Sequence, residues 1–122
     1  MNVSLMEDAK RMFEFHDKTS GFYFDLRMTS TLVEEWLNWQ DALLDMASVV
    51  IIEMYRGKDK NVQLHEISIS SDSERIENEM VFRFYSSIGK IEVLFTFNPK
   101  TLEIHYKDVF ICEYEETFAL LG

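Results

Sequence analysis

The sequence predicts an α+β fold in which N-terminal helices pack on one face of an antiparallel β-meander sheet. Up to Gly57, apolar residues recur with the 3.6-residue period of an amphipathic helix, whereas beyond it they alternate with the two-residue period of a strand. The chain has 122 residues, which is the size of one domain. We therefore expect residues 1–122 to form a single α+β domain.

The first helix is predicted over residues 4–17. Ser4 and Glu7 have the spacing of a capping box, in which each side chain bonds an otherwise unpaired amide of the first turn. Gly21 indicates a break after this helix. Residues 22–26 are then expected to form either a short edge strand or an apolar loop that covers the core.

A second, longer helix is predicted over residues 32–56. Thr31 and Glu34 repeat the capping-box spacing, and an apolar stripe behind them keeps helical spacing as far as Gly57. Because residues 49–52 are β-branched and favour strands, an alternative remains open. In that alternative the helix ends near residue 47 and a strand covers 48–55.

The C-terminal half is predicted to consist mainly of strands. Residues 62–69 alternate, with a phase slip near His65 that suggests a bulge, and residues 70–74 have the composition of a polar loop. Strands are predicted over 79–87, with Met80, Phe82 and Phe84 facing the core, and next through Ile91, Val93, Phe95 and Phe97. A Pro-containing turn at 98–101, strands at 102–106 and 109–112, and a short closing helix at 113–121 complete the chain.

Antiparallel sheets commonly pack one face on the core and leave the other open. The second face of the predicted sheet carries a mixture of aromatic, aliphatic and charged residues, which is suited to contact with a partner. Its predicted members are Arg83, Tyr85, Glu92, Leu94, Thr96, Glu103 and His105.

The charge balance excludes some classes of partner. With 12 basic and 22 acidic residues, the formal net charge is −10. Nucleic acids are bound through Lys and Arg patches, and anionic membranes through basic clusters, so we expect neither as a ligand. The charge favours a basic protein partner, although an acidic composition also serves solubility alone.

Compartment is indicated by cysteine usage and by the N-terminal residues. Cys112 is the single cysteine, so an intramolecular disulfide is impossible, and its apolar neighbours predict that it is buried. Residues 1–8 lack the basic and apolar regions of a signal peptide. The longest apolar runs, such as 49–52, hold four residues, far fewer than the ~20 residues that span a bilayer. These features predict a cytoplasmic protein.

The sequence carries none of the common catalytic signatures: no glycine-rich phosphate loop, no H-E-x-x-H and no nucleophile elbow. Glu103 and His105 share a strand face and, together with His65 and Glu66, would suit a metal. We favour the simpler interpretation that these are unrelated polar residues on an exposed face. No cofactor, no metal and no catalytic residue is therefore predicted.

Acidic residues instead form clusters around an aromatic residue that lies off the centre of the helical stripe. Interfaces often combine an aromatic anchor with a charged rim, so Trp39 is predicted to be partly exposed, with a core position as the alternative. The predicted partner-binding residues are Glu34, Glu35, Trp39, Asp41, Asp45, Asp72, Glu74, Glu77, Glu79, Glu113, Glu115 and Glu116.

In general character, a small, acidic, motif-free α+β chain is similar to the bacterial immunity proteins, which block a cognate toxin that is often a nuclease with a basic cleft. The prediction is a non-catalytic module that neutralises a basic partner protein, with the oligomeric state left open. The alternative is a ligand-binding protein or simple acid/base enzyme. Its pocket, between the long helix and a curved sheet, would use Asp25, His65, His105 and Tyr106.

Overall fold

The computed structural model describes residues 3–20, 22–23, 30–101 and 103–114. The helices are α1 (Val3–Ser20) and α2 (Ser30–Arg56), and the strands are β1 (Phe22–Tyr23), β2 (Ser70–Ile76), β3 (Glu79–Tyr85), β4 (Gly89–Phe97) and β5 (Glu103–Glu113). The strand order is β1-β5-β4-β3-β2, and every neighbouring pair is antiparallel. The predicted α+β fold, with two helices packed against an antiparallel meander, is confirmed.

α2 is one continuous helix to Arg56, so the alternative with a strand over 48–55 is wrong. The β-branched run is tolerated because Val50 and Ile51 are buried in the core, where packing outweighs propensity. The far end of the helix lies close to the sheet at Gly89. A Cβ added there would lie 2.2 Å from the Met54 Cε and 2.5 Å from the Cys112 carbonyl oxygen.

The centre of the core is an aromatic cluster that joins α2 to the middle strands. The Trp39 ring meets Phe82 and Phe95 edge-on, with centroids 5.5 Å and 5.1 Å away, and Trp36 stacks on Trp39 at 5.3 Å. Edge-to-face and offset-stacked contacts are the favoured aromatic geometries. Trp39 is only 6% exposed, so the predicted surface exposure of Trp39 is wrong and the core alternative holds.

α1 covers the other side of the same sheet face. Phe13 is buried and its ring stacks on Tyr106 of β5, with 6.3 Å between the centroids. Both helices begin slightly before the predicted starts, so the predicted capping residues Ser4 and Thr31 lie inside them. β1 pairs with Glu103 and Ile104, the first two residues of β5, and forms the predicted edge strand. Residues 24–26 lie outside the described residues.

The segment 62–76 differs most from its prediction. Residues 62–69 are not a strand, because Leu64–Glu66 form a 3₁₀ turn in which the Gln63 amide donates to Glu66 Oε2 at 3.4 Å. The predicted polar loop at 70–74 is part of β2. Every residue of β2 is exposed on both faces, so the strand carries no hydrophobic alternation from which to predict it.

Over the described residues, the two strands predicted at 102–106 and 109–112 are one strand, β5, interrupted by a β-bulge; residue 102 lies outside the described residues. Phe95 pairs with Tyr106 while Leu94 pairs with Asp108, so Lys107 is the extra residue. The bulge shifts the alternation, which turns Phe110 and Cys112 outward. The prediction that Cys112 is buried is therefore wrong: it is exposed. Of the predicted closing helix, Glu113 belongs to β5, and residues 115–121 lie outside the described residues.

Replacing Phe82 or Phe95 by Ala is expected to lower the free energy of unfolding by about 3–5 kcal/mol, because each ring is buried and its loss leaves a cavity. Phe110→Ala is the matched control, since Phe110 is 52% exposed on the opposite face. It should cost no more than about 1 kcal/mol. Equilibrium chemical denaturation measures all three variants. Losses below about 1 kcal/mol at both Phe82 and Phe95 would contradict the assignment of the sheet faces.

Candidate protein-binding face

The described helices pack on one face of the sheet, and we call the opposite side the open face. Strand register and cross-strand contacts place acidic, basic, aliphatic and aromatic residues together on it, which confirms the mixed second face predicted from the sequence. Its members are Asp72, Glu74 and Ile76 of β2; Glu79, Val81, Arg83 and Tyr85 of β3; Lys90, Glu92, Leu94 and Thr96 of β4; and Glu103, His105, Asp108, Phe110 and Cys112 of β5.

Arg83 is the centre of an ion-pair network on this face. Its guanidinium lies 2.9 Å from Glu74, 3.3 Å from Asp72 and 3.8 Å from Glu92. The hydrogen bond with Glu74 is the largest cause that raises the pKa of Arg83 above its ordinary value. The Tyr85 hydroxyl donates to the second Asp72 oxygen at 3.0 Å. Both carboxylates of β2 are thus held in place by β3.

Two further cations complete the network. Lys90 lies 2.9 Å from Glu92, and this hydrogen bond raises the pKa of Lys90. Lys107, the bulge residue, forms an ion pair with Glu79. Six open-face carboxylates face three cations, Arg83, Lys90 and Lys107. The ion-paired face therefore keeps a negative excess.

Phe110 is the exposed aromatic residue of this face. It stands opposite Glu92 across the β4–β5 pair, and Leu94, half-buried, lies one row away on the same side. Phe110 is not among the residues predicted from the sequence to bind a partner, because residues 109–112 form one apolar run in which no alternation is visible. Only the bulge at Lys107 reveals which of those residues point outward, and no sequence signal marked that bulge.

The predicted partner-binding residues do not form a single site. Asp72, Glu74 and Glu79 lie on the open face, and Glu77 is in the adjoining β2–β3 turn with a φ of 53°. Four of the predicted residues are exposed on α2, which lies on the other side of the sheet: Glu34, Glu35, Asp41 and Asp45. Glu113 lines a separate groove between the two helices, and Trp39 is in the core. Glu115 and Glu116 lie outside the described residues.

A groove of about 280 Å³ runs between α2 and the helix side of β2. Gln40, Asp41 and Leu44 line its α2 wall, and Ser71 and Ser73 line its β2 wall. The two serines are small, so they leave this side of the edge strand accessible. The groove is continuous with β2, and Asp41 of α2 and Asp72 of β2 both line it.

The three described residues of the predicted pocket do not converge. His65 is exposed in the 3₁₀ turn, His105 lies on the open face 3.0 Å from Glu103, and Tyr106 faces the helices. Asp25 lies outside the described residues. Within the described ranges, no group of three or more His, Cys, Asp and Glu residues is arranged to hold a metal ion.

Comparison with known proteins finds no matching family model, no similar curated protein and no similar solved structure. Neither described helix contains an apolar stretch of the length and hydropathy needed to cross a membrane.

The pH dependence of stability tests whether Tyr106 is partly buried on the helix side of the sheet. Burial, followed by the nearby Asp108 and Glu14 carboxylates, raises the pKa of Tyr106 from 10.0 to about 12. The folded state thus holds the proton more tightly than the unfolded chain, so the stabilisation is present below pH 10 and is lost as pH rises through about 12.

Phe cannot ionise, so the stability of Tyr106→Phe is expected to fall less steeply than that of the parent protein over this interval. Denaturation midpoints across the pH range measure the two slopes. Parallel slopes would contradict a partly buried Tyr106 on the helix side.

Proposed function

We propose that the protein is a non-catalytic binding module that neutralises a basic partner protein through the open face of its sheet. The specific form we propose is an immunity-type inhibitor of a bacterial toxin, such as a nuclease with a basic cleft, acting in the cytoplasm. The observation that supports this most strongly is the ion-paired open face, in which carboxylates outnumber cations around the exposed Phe110.

The chemistry of the face favours a protein over a small ligand. Small molecules bind in concave sites with a few convergent polar groups, whereas the open face is an extended sheet surface whose charges are spread over four strands. Protein interfaces place an aromatic residue among polar and charged neighbours. Phe110, with Leu94 beside it and Glu92 opposite, has this arrangement.

The ion pairs also support binding by holding the acidic groups in fixed positions. Asp72 is held by both Arg83 and Tyr85, and Glu74 by Arg83. Side chains that are already ordered lose less conformational entropy when a partner binds. A basic partner would therefore meet carboxylates that are already in position, and the negative excess would speed its approach.

Affinity capture from the native host, followed by binding kinetics with the captured protein, tests the proposal. If electrostatic attraction guides association, raising the salt concentration should slow association much more than it speeds dissociation. Stoichiometric recovery of a small molecule or a metal, with no protein partner, would reject the proposal. A captured partner without a basic surface would reject it as well.

Reversing two open-face charges, Glu74→Lys with Glu79→Lys, is expected to weaken binding by about tenfold or more, because both groups would then repel a basic partner. Glu34→Lys with Glu35→Lys is the matched control: it changes the net charge equally but on exposed positions of α2. Surface changes of this kind usually alter stability by only about 0.5 kcal/mol each. Equal weakening by both pairs would mean that net charge, rather than the open face, governs binding.

Phe110→Ala should weaken binding by about 2 kcal/mol, the scale of an aromatic hot spot, without a comparable loss of stability. Phe15→Ala is the control, since Phe15 is 68% exposed on α1. Isothermal titration calorimetry with the captured partner measures both affinities. An unchanged affinity for Phe110→Ala would remove Phe110 from the interface and leave only the charges.

A further inference from the structure

We infer that the outer edge of β2 binds an extended basic segment of the partner, which adds a strand to the sheet with its Lys or Arg side chains opposite Asp72 and Glu74. This inference rests on the proposed function for the basic character of the partner. It adds the mode of binding, which is main-chain pairing with an edge strand.

The hairpin geometry shows which backbone groups are available at this edge. β2 and β3 are joined by a two-residue turn, and Ile76 pairs with Glu79 at its base. This closing pair exchanges hydrogen bonds, and bonded pairs alternate along an antiparallel ladder. The amides and carbonyls of Ser71, Ser73 and Arg75 therefore point away from β3. No other described strand pairs with this edge.

The side chains on this edge select the charge of an incoming strand. Residues of that strand which bond to Ser71 and Ser73 alternate with residues that stand opposite Asp72 and Glu74. The latter are non-hydrogen-bonded pairs, whose Cα atoms approach to about 4.5 Å. Opposite charges at such positions stabilise a sheet and like charges destabilise it. Asp72 and Glu74 remain about half exposed beside Arg83, so a cation from the new strand can reach both.

The same charges disfavour a second copy of this chain as the occupant. A symmetric antiparallel pairing of two β2 strands centred on Ser73 sets Asp72 directly opposite Glu74, twice. A pairing centred on Asp72 or on Glu74 sets that carboxylate opposite its own copy. Each register that pairs the middle of the strand thus opposes two carboxylates, which destabilises the dimer.

The groove behind β2 has room for the remaining side chains. Alternate residues of an added strand point to the helix side, where Ser71 and Ser73 are small and Leu44 and Asp41 form the opposite wall. Residues of modest size, such as Thr or Val, fit this side. The preferred segment therefore alternates basic residues with small uncharged ones.

Amide hydrogen exchange on the full chain tests the inference with a synthetic peptide in which Lys alternates with Thr, at concentrations up to millimolar. At saturation, exchange at the amides of Ser71, Ser73 and Arg75 should slow by at least about tenfold. The amides of Asp72 and Glu74, which already bond to β3, should change little. Absence of binding, or binding without this alternate pattern, would overturn the inference.

Two peptides with equal charge provide the sharpest control. N-methylation of the Thr residues removes the donors that face β2 and should abolish the protection, whereas N-methylation of the Lys residues removes only donors on the far edge and should preserve it. Equal protection by both would show that charge alone holds the peptide and would overturn strand addition.

A protein variant gives an independent measurement. Ser73→Pro removes one outward amide, and Pro is tolerated on edge strands where the N–H is not needed. It should bind the Lys/Thr peptide at least about tenfold more weakly than Ser73→Ala, which keeps the amide. If Ser73→Pro does not fold, the comparison of the two N-methylated peptides still decides the question.

Sedimentation of the free protein tests whether a second copy of this chain occupies the edge. A dimer that dissociates when Ser73 is replaced by Pro would assign the edge to that second copy and overturn the inference. The proposed function is tested by separate measurements. Suppose that salt slows association of the captured partner and that the open-face charge reversal weakens its binding, but that Ser73→Pro leaves its affinity unchanged. Only strand addition is then rejected.

Discussion

The edge-to-face packing of Trp39 on Phe82 and Phe95 determines where α2 lies, and the arrangement of the surface depends on that position. α2 is held over the two central strands, while α1 covers β5 through the Phe13–Tyr106 contact. Two helices placed in this way cover one face of the sheet but do not reach β2, all of whose residues are exposed. The open face and the exposed edge strand are thus both consequences of where a single aromatic cluster anchors the long helix.

The β-bulge at Lys107 is the second determinant, because it sets which residues of β5 face outward. Without the extra residue, the parity that places Tyr106 toward the helices would also place Asp108 and Phe110 there. Burial of an unpaired carboxylate is costly, so the bulge allows β5 to keep Val109 and Ile111 in the core while Asp108 remains outside. It also brings Lys107 to Glu79, which ties β5 to β3 across the intervening strand.

The parts of the fold that could be predicted from sequence are those where burial imposes a period. The stripe along α2 and the alternation in β3 and β4 reflect contact with one core, so their positions and inward faces agree with the structure. β2 lies outside that core, and its sequence is therefore indistinguishable from a polar loop. The same limit applied to the site: the negative charge and its clusters were visible in the sequence. Strand pairing and the bulge determine how these clusters divide between the two layers. They also determine that the exposed aromatic residue is Phe110 and not Trp39.

The charges on β2 have a simple structural role as well as the binding role proposed above, and the two roles are compatible. Exposed edge strands are commonly protected from self-association by charged side chains, and Asp72 and Glu74 oppose pairing of two copies in each central register. Repulsion between like strands and attraction to a basic strand would arise from the same carboxylates, so protection against self-pairing would also select the proposed partner. Arg83 weakens both the repulsion and the attraction, because it neutralises part of the charge of Asp72 and Glu74. A strand without basic residues would gain the main-chain bonds of Ser71, Ser73 and Arg75 but no charge pairing, whereas an acidic strand would meet repulsion. In the proposed mode of binding, the edge would therefore discriminate among strands by charge, even though its backbone groups could pair with any of them.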